Sequence, residues 1–397
     1  MGLFDRWFGK KTAVEEQLSP KEHFTREVEQ LLRARPNTTV RRGDEEFTLI
    51  INVDGRESTA YLGNTFHDTR EVEPERRREL INRLISGVAE PIPVYGSLDE
   101  VRGVLAVSLR GAFHGQQGEA LVAREFVPCL QEYLVIDDPK RISFCTEEAA
   151  SVWKSSVEVL LDIGRSRIAA TGARTSQDAR GVFSVDNDDD YESARLLLPG
   201  FLERFRDKVK GRPIAVVPTR NQLYVAGDAD PELVISLCEL AEREYVASPR
   251  RVSAAVYSVD DGGRVVRYVR EAKDAAALRV RTSHVRFEGN EYSTQREVLS
   301  ARPQSDAFVA SFASLESKAG ETLSWAAIGS GFLTWLPRTD IVAVHVGNEP
   351  SFFSWAEVMR VAPHRLKLVP GLFPPRWETL GDFSAEEIAQ MERFPLS

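Results

Sequence analysis

Residues 186–228 read DNDDDYESARLLLPGFLERFRDKVKGRPIAVVPTRNQLYVAGD, and this stretch predicts an acidic turn, a helix and two strands. The five residues that open it have short polar side chains, which bond nearby amides at turns and helix N-caps. Apolar residues then recur at helical spacing from residue 194 to residue 209. Pro199 lies within this run, and because the apolar stripe keeps its phase across the proline, we predict one kinked helix. Two short apolar runs, 214–217 and 223–226, are the predicted strands.

The aspartates of the opening turn have two interpretations. Asp186, Asp188 and Asp190 alternate as the first ligands of a calcium loop do, which makes them candidates for a metal site. However, Tyr191 stands where such a loop needs glycine, and Leu197 stands at its closing acidic position. We therefore expect the turn to cap the helix, and we predict neither a metal nor another cofactor.

The same stretch carries a family resemblance. The aspartate-rich turn and Tyr191 are followed by SARLL at 193–197, FLE at 201–203 and AVVP at 215–218. In this order and spacing, the segments resemble the YtpQ-like family of uncharacterised bacterial proteins. The resemblance extends from about His23 to about Arg270. It implies a bacterial protein, it assigns no catalytic or binding residue, and it does not cover the longer C-terminal part.

Outside this stretch, helices alternate with pairs of strands rather than with single strands. Asp54-Gly55 and Asp261-Gly262 are hairpin signals between apolar runs. A doubly wound parallel sheet would instead need a crossover helix after each strand. We therefore predict an α+β fold, with helix-flanked antiparallel sheets in two units followed by a β-rich C-terminal part. The expected divisions are an N-terminal tail at 1–17, α+β units at 18–95 and 96–270, and the C-terminal part at 271–397.

Six local patterns give further predictions. Ser384 and Glu387 have the spacing of a capping box, which predicts the start of a short last helix. We expect one strand over 126–136, bent at Pro128, and one helix from Thr146 to about Gly164. Residues 285–287 are predicted to form another strand, and the glycines at 329 and 331 a hairpin turn. Residues 111–118 are rich in glycine but lack the lysine and hydroxyl of a phosphate-binding loop, so we expect an ordinary loop there.

Composition limits the classes of function. The chain has 397 residues, of which 42% are hydrophobic and 28% are charged, as is ordinary for a globular protein. Its formal net charge of −9 argues against nonspecific binding to nucleic acid, which depends on positive charge. Cys129, Cys145 and Cys238 form no disulfide or zinc pattern, and no apolar run has the length of a membrane span or the form of a secretory signal. We therefore expect a cytoplasmic protein.

Two aromatic segments are candidate protein-binding sites, and their residues are Phe4, Trp7, Phe8, Phe352, Phe353 and Trp355. The N-terminal three would share one side of a short helix, which suits a docking peptide or a membrane-surface anchor. The alternative is a frayed terminus whose aromatic side chains pack onto the body of the protein. The C-terminal three would form either a recognition surface or the core of a β-rich unit.

The leading hypothesis is a non-enzymatic cytoplasmic protein that binds another protein, as chaperones, adaptors and immunity proteins do. It rests on the acidic balance, on the aromatic segments and on fold analogy. The second hypothesis is an enzyme that acts on a small molecule, with the acids of 186–190 or His114 in a cleft. The third is association with a membrane surface through the N-terminal aromatic segment.

Overall fold

The helices and strands of the computed structural model confirm the predicted α+β class. The structure describes residues 19–91, 93–111, 120–301, 307–329, 331–346 and 349–395. These residues divide into two compact units. The first unit ends at Val94 and also contains Pro139–Arg141, whereas the second comprises Tyr95–Asp138 and the chain from Ile142 onward.

The first unit is a three-stranded antiparallel sheet with helices, in the order α1 (Pro20–Arg33), β1 (Thr38–Arg42), β2 (Thr48–Val53), β3 (Arg56–Tyr61), α2 (Gly63–Asp68) and α3 (Pro74–Ala89). Ser19 caps α1 by accepting a hydrogen bond from the Glu22 amide at 3.2 Å. Asp54 and Gly55 have positive φ angles of 53° and 84°, as a two-residue hairpin between β2 and β3 requires. The hairpin prediction is therefore confirmed, and the two longer helices and the sheet enclose one apolar core.

The second unit begins with two sheets that share one core. Its elements up to Arg267 are α4 (Leu98–Val101), β4 (Leu105–Gly111), β5 (Ala123–Val127), β6 (Leu130–Asp138), β7 (Arg141–Phe144), α5 (Glu147–Ser151), α6 (Val157–Ala170), β8 (Thr175–Gln177), β9 (Phe183–Val185), β10 (Pro213–Thr219), β11 (Tyr224–Gly227), α7 (Pro231–Ala247), β12 (Arg251–Val259) and β13 (Val265–Arg267). In the first sheet β6 pairs with β4, β5 and β7, and the second sheet has the order β13-β12-β10-β11-β9-β8. Apolar side chains of both sheets and of helix α6, such as Val107, Val217 and Leu161, belong to one buried core.

Helix α6 covers the outer face of the first sheet at very short range. A Cβ atom added at Gly164 would lie 2.8 Å from the carbonyl carbon of Ala106 in β4. Real Cβ atoms are not found this close to backbone, so this position needs glycine for the helix to reach the strand. The helix ends at Ala170, and Thr171 and Gly172 follow it.

The predicted kinked helix over 194–209 is wrong. Two short 3-10 helices, Ser193–Leu197 and Leu202–Phe205, take its place. Between them, Leu198 is extended, as a residue before proline tends to be, and Gly200 has a positive φ of 73°. The apolar side chains of both short helices are buried in the shared core, so the stripe reports burial correctly but not helix type.

The other local predictions also need correction. Residues 126–136 form a hairpin rather than one strand, because the chain turns at Pro128 and at Cys129, whose φ is 64°. The helix predicted from Thr146 is interrupted at Lys154, with a φ of 50°, and α6 then starts with a new cap at Ser156. Residues 285–287 are helical, and the strands on either side of 329–331 belong to different sheets, so they are not a hairpin. The predicted loop at 111–118 lies almost entirely outside the described residues.

The rest of the second unit is a long helix, which the sequence did not predict, followed by the predicted strand-rich part. Its elements are α8 (Ala275–Ser300), β14 (Phe308–Val309), β15 (Ala313–Glu316), β16 (Thr322–Ala327), β17 (Thr334–Pro337), β18 (Ile341–Val346), β19 (Glu349–Ser354), α9 (Trp355–Val361), β20 (Leu366–Leu368), β21 (Arg376–Thr379) and α10 (Ala385–Gln390). They form two four-stranded sheets, β15-β16-β18-β19 and β14-β17-β21-β20. Ser384 and Glu387 form the predicted capping box at the start of α10.

Helix α8 belongs to both parts of this unit. Ala276 and Val280 on α8 are buried in the core around α7 and β10. On the other side, the fully buried Arg376 of β21 donates to Gln295 Oε1 at 2.6 Å and to the carbonyl oxygen of Tyr292 at 3.2 Å, both on α8. The same guanidinium also donates to the carbonyl oxygens of Ala310 and Trp335, so one side chain ties the helix to the C-terminal strands.

Candidate functional site

The acidic turn connects β9 to the first 3-10 helix, and two of its residues have a left-handed backbone. Asp188 and Asp190 have φ angles of 56° and 64°, a left-handed conformation that aspartate tolerates because its short side chain bonds locally. Asp189 accepts a hydrogen bond from the Tyr191 amide at 3.0 Å. The Asp189 carboxylate therefore bonds an amide of the turn itself, and the expected cap of an α-helix is wrong, because the turn leads into a 3-10 helix.

Asp189 has a structural role through Arg195. The Arg195 side chain is fully buried and donates to both oxygens of Asp189, at 3.0 and 2.6 Å. Its Nε donates to the Gly172 carbonyl oxygen at 2.8 Å and its Nη2 to the Thr171 hydroxyl at 2.9 Å, just beyond the end of α6. Burial raises the pKa of Asp189, but the hydrogen bonds and charge of Arg195 outweigh it and hold the pKa below its ordinary value. Through the bonds of Arg195 to Thr171 and Gly172, this ion pair fixes the turn to the C-terminal end of α6.

Asp190 lies instead among three arginines, Arg110, Arg220 and Arg250, which we call the arginine cluster. Arg220 Nη2 lies 2.8 Å from Asp190 Oδ2, and Arg250 Nη1 lies 3.7 Å from Oδ1. The Arg220 amide also donates to the Arg250 carbonyl oxygen at 3.0 Å, which holds the two segments together. The side chains of Arg220, Arg250 and Asp190 are 15%, 22% and 29% exposed, so solvent reaches the cluster.

Arg110 joins this cluster from the end of β4, which packs against β12 and the first 3-10 helix. Its Nη1 donates to the Leu109 carbonyl oxygen at 2.8 Å, and its guanidinium lies 5.8 Å from the centre of the Phe144 ring. Among the described residues, no carboxylate lies within ion-pair distance of it. Burial, together with the positive charges of Arg220 and Arg250, lowers the pKa of Arg110 to about 9.

A hollow of about 250 Å³ borders the cluster on the acidic side, and it is lined by Val185, Asp186, Asp188, Asp190, Glu192 and Asn221. The turn thus brings the three candidate metal ligands to one hollow. However, the described part of the chain contains no group of three or more His, Cys, Asp or Glu side chains placed to hold a metal ion. Asp186 accepts a hydrogen bond from the Ser176 hydroxyl, and burial raises the pKa of Glu192.

The aromatic candidates divide between the core and the surface. Phe4, Trp7 and Phe8 lie outside the described residues. Phe353 is fully buried in the core of the C-terminal sheets, whereas Phe352 is partly exposed. Trp355 is also partly exposed and packs edge-on against Trp377, with ring centres 5.0 Å apart. The most exposed aromatic side chain of the described C-terminal part is Phe332, at 69%, which the sequence pattern did not single out.

The histidines and cysteines within the described ranges occupy ordinary structural positions. His284 is buried and bonded to the backbone of Val256, and burial lowers its pKa to about 3, so it is neutral at pH 7. The exposed His364 lies 2.9 Å from Glu387. All three cysteines are free and buried, and burial raises the pKa of Cys145 to about 12 and that of Cys238 to about 11. His114 lies outside the described residues.

Sequence reasoning missed the arginine cluster entirely. Its members are 110 and 30 residues apart along the chain, and no shared sequence motif links them. The one available signal is weak: Arg220 follows a predicted strand, and Arg250 precedes one, so both belong to strand ends. Only the packing of two sheets brings them to the end of β4.

None of the described helices is both long enough and apolar enough to cross a membrane. The resemblance to the YtpQ-like family stays a prediction. Comparisons of the chain with protein-family models, with curated proteins and with solved structures give no match.

Proposed function

We propose that this protein is a non-enzymatic cytoplasmic protein that binds another protein, and that the arginine cluster holds an acidic group of that partner. One observation carries the proposal: Arg220 and Arg250 reach Asp190 from two separate segments at a place that solvent reaches, and Arg110 comes to the same region from the end of β4. A cluster of arginines at a partly exposed site is complementary to an anionic group. In a chain with a net charge of −9, such a site stands out from its surroundings.

The chemistry of the side chain supports a binding role. Arginine is enriched at protein interfaces and among the residues that dominate binding energy. Here the backbones of the arginines are fixed by strand ends, and Arg220 is further bonded through its amide. Side chains that are held in place lose less entropy on binding, so a preorganised cluster gains affinity for the same contacts.

The groups beside the cluster support binding rather than turnover. Burial raises the pKa of the Tyr191 hydroxyl, so it stays protonated at neutral pH. Asp190 is engaged by arginines, as stated above. General acid–base catalysis instead favours groups whose pKa lies near the working pH. The rival proposals, an enzyme with His114 or the acids of the turn and a membrane anchor at Phe4, Trp7 and Phe8, stay predictions.

The three cysteines support the cytoplasmic part of the proposal. Each is free and buried, and none is paired with another. Disulfides are common in oxidising compartments and rare in reducing ones, so unpaired cysteines suit a reducing setting.

The test is affinity capture from the native cells with matched single substitutions. Arg110→Met and Arg220→Met remove one guanidinium each, and Arg243→Met is the control, because Arg243 is 66% exposed and pairs only with its neighbour Glu244 among the described residues. We expect a captured protein to bind the original chain and the control equally, and to bind either cluster variant about tenfold more weakly. Thermal melting checks that the variants are folded.

Two outcomes would overturn the proposal. The first is a partner whose capture is the same with all variants, which would place binding elsewhere. The second is no specific partner at any salt concentration, although low salt strengthens charge complementarity. Flotation with anionic vesicles, comparing the full chain with one that lacks residues 1–17, tests membrane association separately.

A further inference from the structure

We propose that the first unit binds a second copy of this chain through the outer edge of β3, so that two three-stranded sheets become one continuous sheet. This surface belongs to the first unit, whereas the arginine cluster belongs to the second. The direction and accessibility of the β3 backbone groups, and the closure of the opposite edge of the sheet, point to this contact.

Strand β3 bonds β2 through every second residue. The Leu62 amide, one residue beyond β3, donates to the Phe47 carbonyl oxygen at 3.1 Å, and in the antiparallel register the even-numbered residues of β3 bond β2. The N–H and C=O groups of Glu57, Thr59 and Tyr61 therefore point away from β2, and we call them the open edge. Within the described ranges, none of these groups has a hydrogen-bond partner.

The residues of the open edge are accessible to another chain. Tyr61 is 60% exposed, the Glu57 side chain is 59% exposed, and Thr59 is also exposed. Natural edge strands commonly carry a proline, a lysine or a bulge, each of which hinders pairing with a further strand. Strand β3 contains no proline or lysine, and its pairing with β2 continues without a bulge. It therefore keeps the features that allow strand addition.

The opposite edge of the same sheet is closed by the chain itself. Strand β1 is the other outer strand, and helix α1 contacts it. The Val40 carbonyl oxygen of β1 accepts a hydrogen bond from Arg33 Nη2 of α1 at 2.7 Å. A strand that approached β1 would have to displace this bond, so the two edges differ in availability although they belong to one sheet.

The open edge is complementary to itself, which favours a second copy over an unrelated strand. An antiparallel pair that places Thr59 opposite the partner's Thr59 also places Glu57 opposite the partner's Tyr61. In this register each N–H of the open edge meets a C=O of the partner, and each C=O meets an N–H. No like charges face each other, and threonine pairs across strands are favourable. A twofold axis relates the two copies, so the contact closes at a dimer.

The test is size-exclusion chromatography with light scattering on the full chain over a wide range of concentrations. We expect a dimer that dissociates on dilution, because one pair of strands buries less than the roughly 800 Å² per partner of a standard interface. Thr59→Lys should weaken the dimer by about tenfold or more, since two lysines face each other in the proposed register. Thr39→Lys is the matched control, because Thr39 is also exposed but lies on β1, and it should leave the dimer unchanged.

Two further measurements test the register and do not depend on the lysine variant alone. Thr59→Lys and Thr59→Glu should each dimerise poorly, whereas their equal mixture should form a dimer, since lysine then faces glutamate. Thr59→Cys should form an intermolecular disulfide on oxidation, because Cα atoms of such a directly opposed pair lie about 5.5 Å apart, within reach of a disulfide. Thr39→Cys should not, and the three natural cysteines are buried. Thermal melting checks that each variant is folded.

The inference is overturned if the full chain stays monomeric at every concentration. It is also overturned if a dimer forms that Thr59→Lys does not weaken and Thr59→Cys does not cross-link, because the contact would then lie elsewhere. A monomeric chain that captures another protein in a manner dependent on Thr59 would likewise overturn it, because the open edge would then receive a strand of that protein.

Discussion

Arg195 and Arg110 have the same side chain but opposite surroundings. Arg195 donates to Asp189, Gly172 and Thr171 and is fully buried. Arg110 donates to one carbonyl oxygen and has no described carboxylate partner. The first arrangement stabilises the fold because every donor group is satisfied, and the second disfavours it because a desolvated charge stays uncompensated. Substitutions at the two positions should therefore change stability in opposite directions.

Arg195→Met should destabilise the protein strongly. It leaves Asp189 as a largely desolvated charge without its partner, and removing one member of a buried ion pair costs about 3–5 kcal/mol. Urea denaturation measures the loss. Arg180→Met is the control, since Arg180 is 62% exposed and should change stability by less than about 0.5 kcal/mol. Equal effects of the two changes would contradict the structural role of Arg195.

Arg110→Met should stabilise the ligand-free protein at pH 7.5. The charged groups that face Arg110 are Arg220, Arg250 and Asp190, with the hydroxyl of Tyr191. Burial and the neighbouring positive charges disfavour the charged guanidinium and lower its pKa, so the folded state carries an electrostatic cost that methionine removes.

Urea unfolding of both chains at pH 7.5 checks this. A variant that is less stable than the original chain would show that Arg110 contributes to the fold.

Elements formed by local signals were predictable, and those fixed by distant packing were not. The Asp54-Gly55 hairpin and the Ser384 capping box need only their own few residues, and both form as expected. The stripe around Pro199 has helical spacing, yet the extended Leu198 and the left-handed Gly200 divide it, and burial in a shared core holds both halves. The arginine cluster depends on how two sheets pack, so no local pattern contains it.

Gly164→Ala should destabilise the contact between α6 and β4. Alanine favours a helix over glycine by about 1 kcal/mol, but the added Cβ would lie 2.8 Å from the Ala106 carbonyl carbon. Backbone atoms cannot move aside as a flexible side chain can. The steric cost should therefore exceed the gain in helix propensity, with a net loss of about 1–3 kcal/mol in the free energy of unfolding. Thermal or urea unfolding measures it.

Gly289→Ala in α8 is the matched control. Its nearest new contact, Phe312 Cδ1, would lie 3.4 Å away, which is an ordinary van der Waals distance. Stability should be unchanged or rise by up to about 1 kcal/mol. If both alanines stabilised the protein, the close approach of α6 to β4 would be wrong.

At the scale of the whole molecule, the second unit depends on polar groups as well as on apolar cores. Arg376 is buried without a described carboxylate and instead satisfies carbonyl oxygens from three separate segments and the Gln295 amide oxygen. Ion pairing between Arg281 and Asp340 adds another link from α8 to the C-terminal sheets. The attachment of the strand-rich part therefore rests on directional bonds as well as on buried side chains of α8.

Arg376→Met should loosen this attachment. Methionine replaces the volume approximately but leaves buried acceptors unpaired, and each unsatisfied group costs about 1–3 kcal/mol. We expect a loss of about 3–5 kcal/mol in urea unfolding, with faster proteolysis of the strand-rich part. Lys318→Met, at an exposed position, is the control and should behave like the original chain. Unchanged protease resistance in Arg376→Met would contradict the role of this residue.

Helix α8 has 26 residues and therefore runs for about 39 Å, with buried side chains facing the sheets before it and the strands after it. Truncating the chain on either side of this helix would therefore expose an apolar face of α8 to solvent. A fragment that keeps α8 but lacks one of the two parts it packs against must bury that apolar face in some other way. A fragment that lacks α8 exposes the apolar surfaces of both parts at once. Neither half of this unit should therefore fold alone unless another element covers the apolar surface that α8 buries.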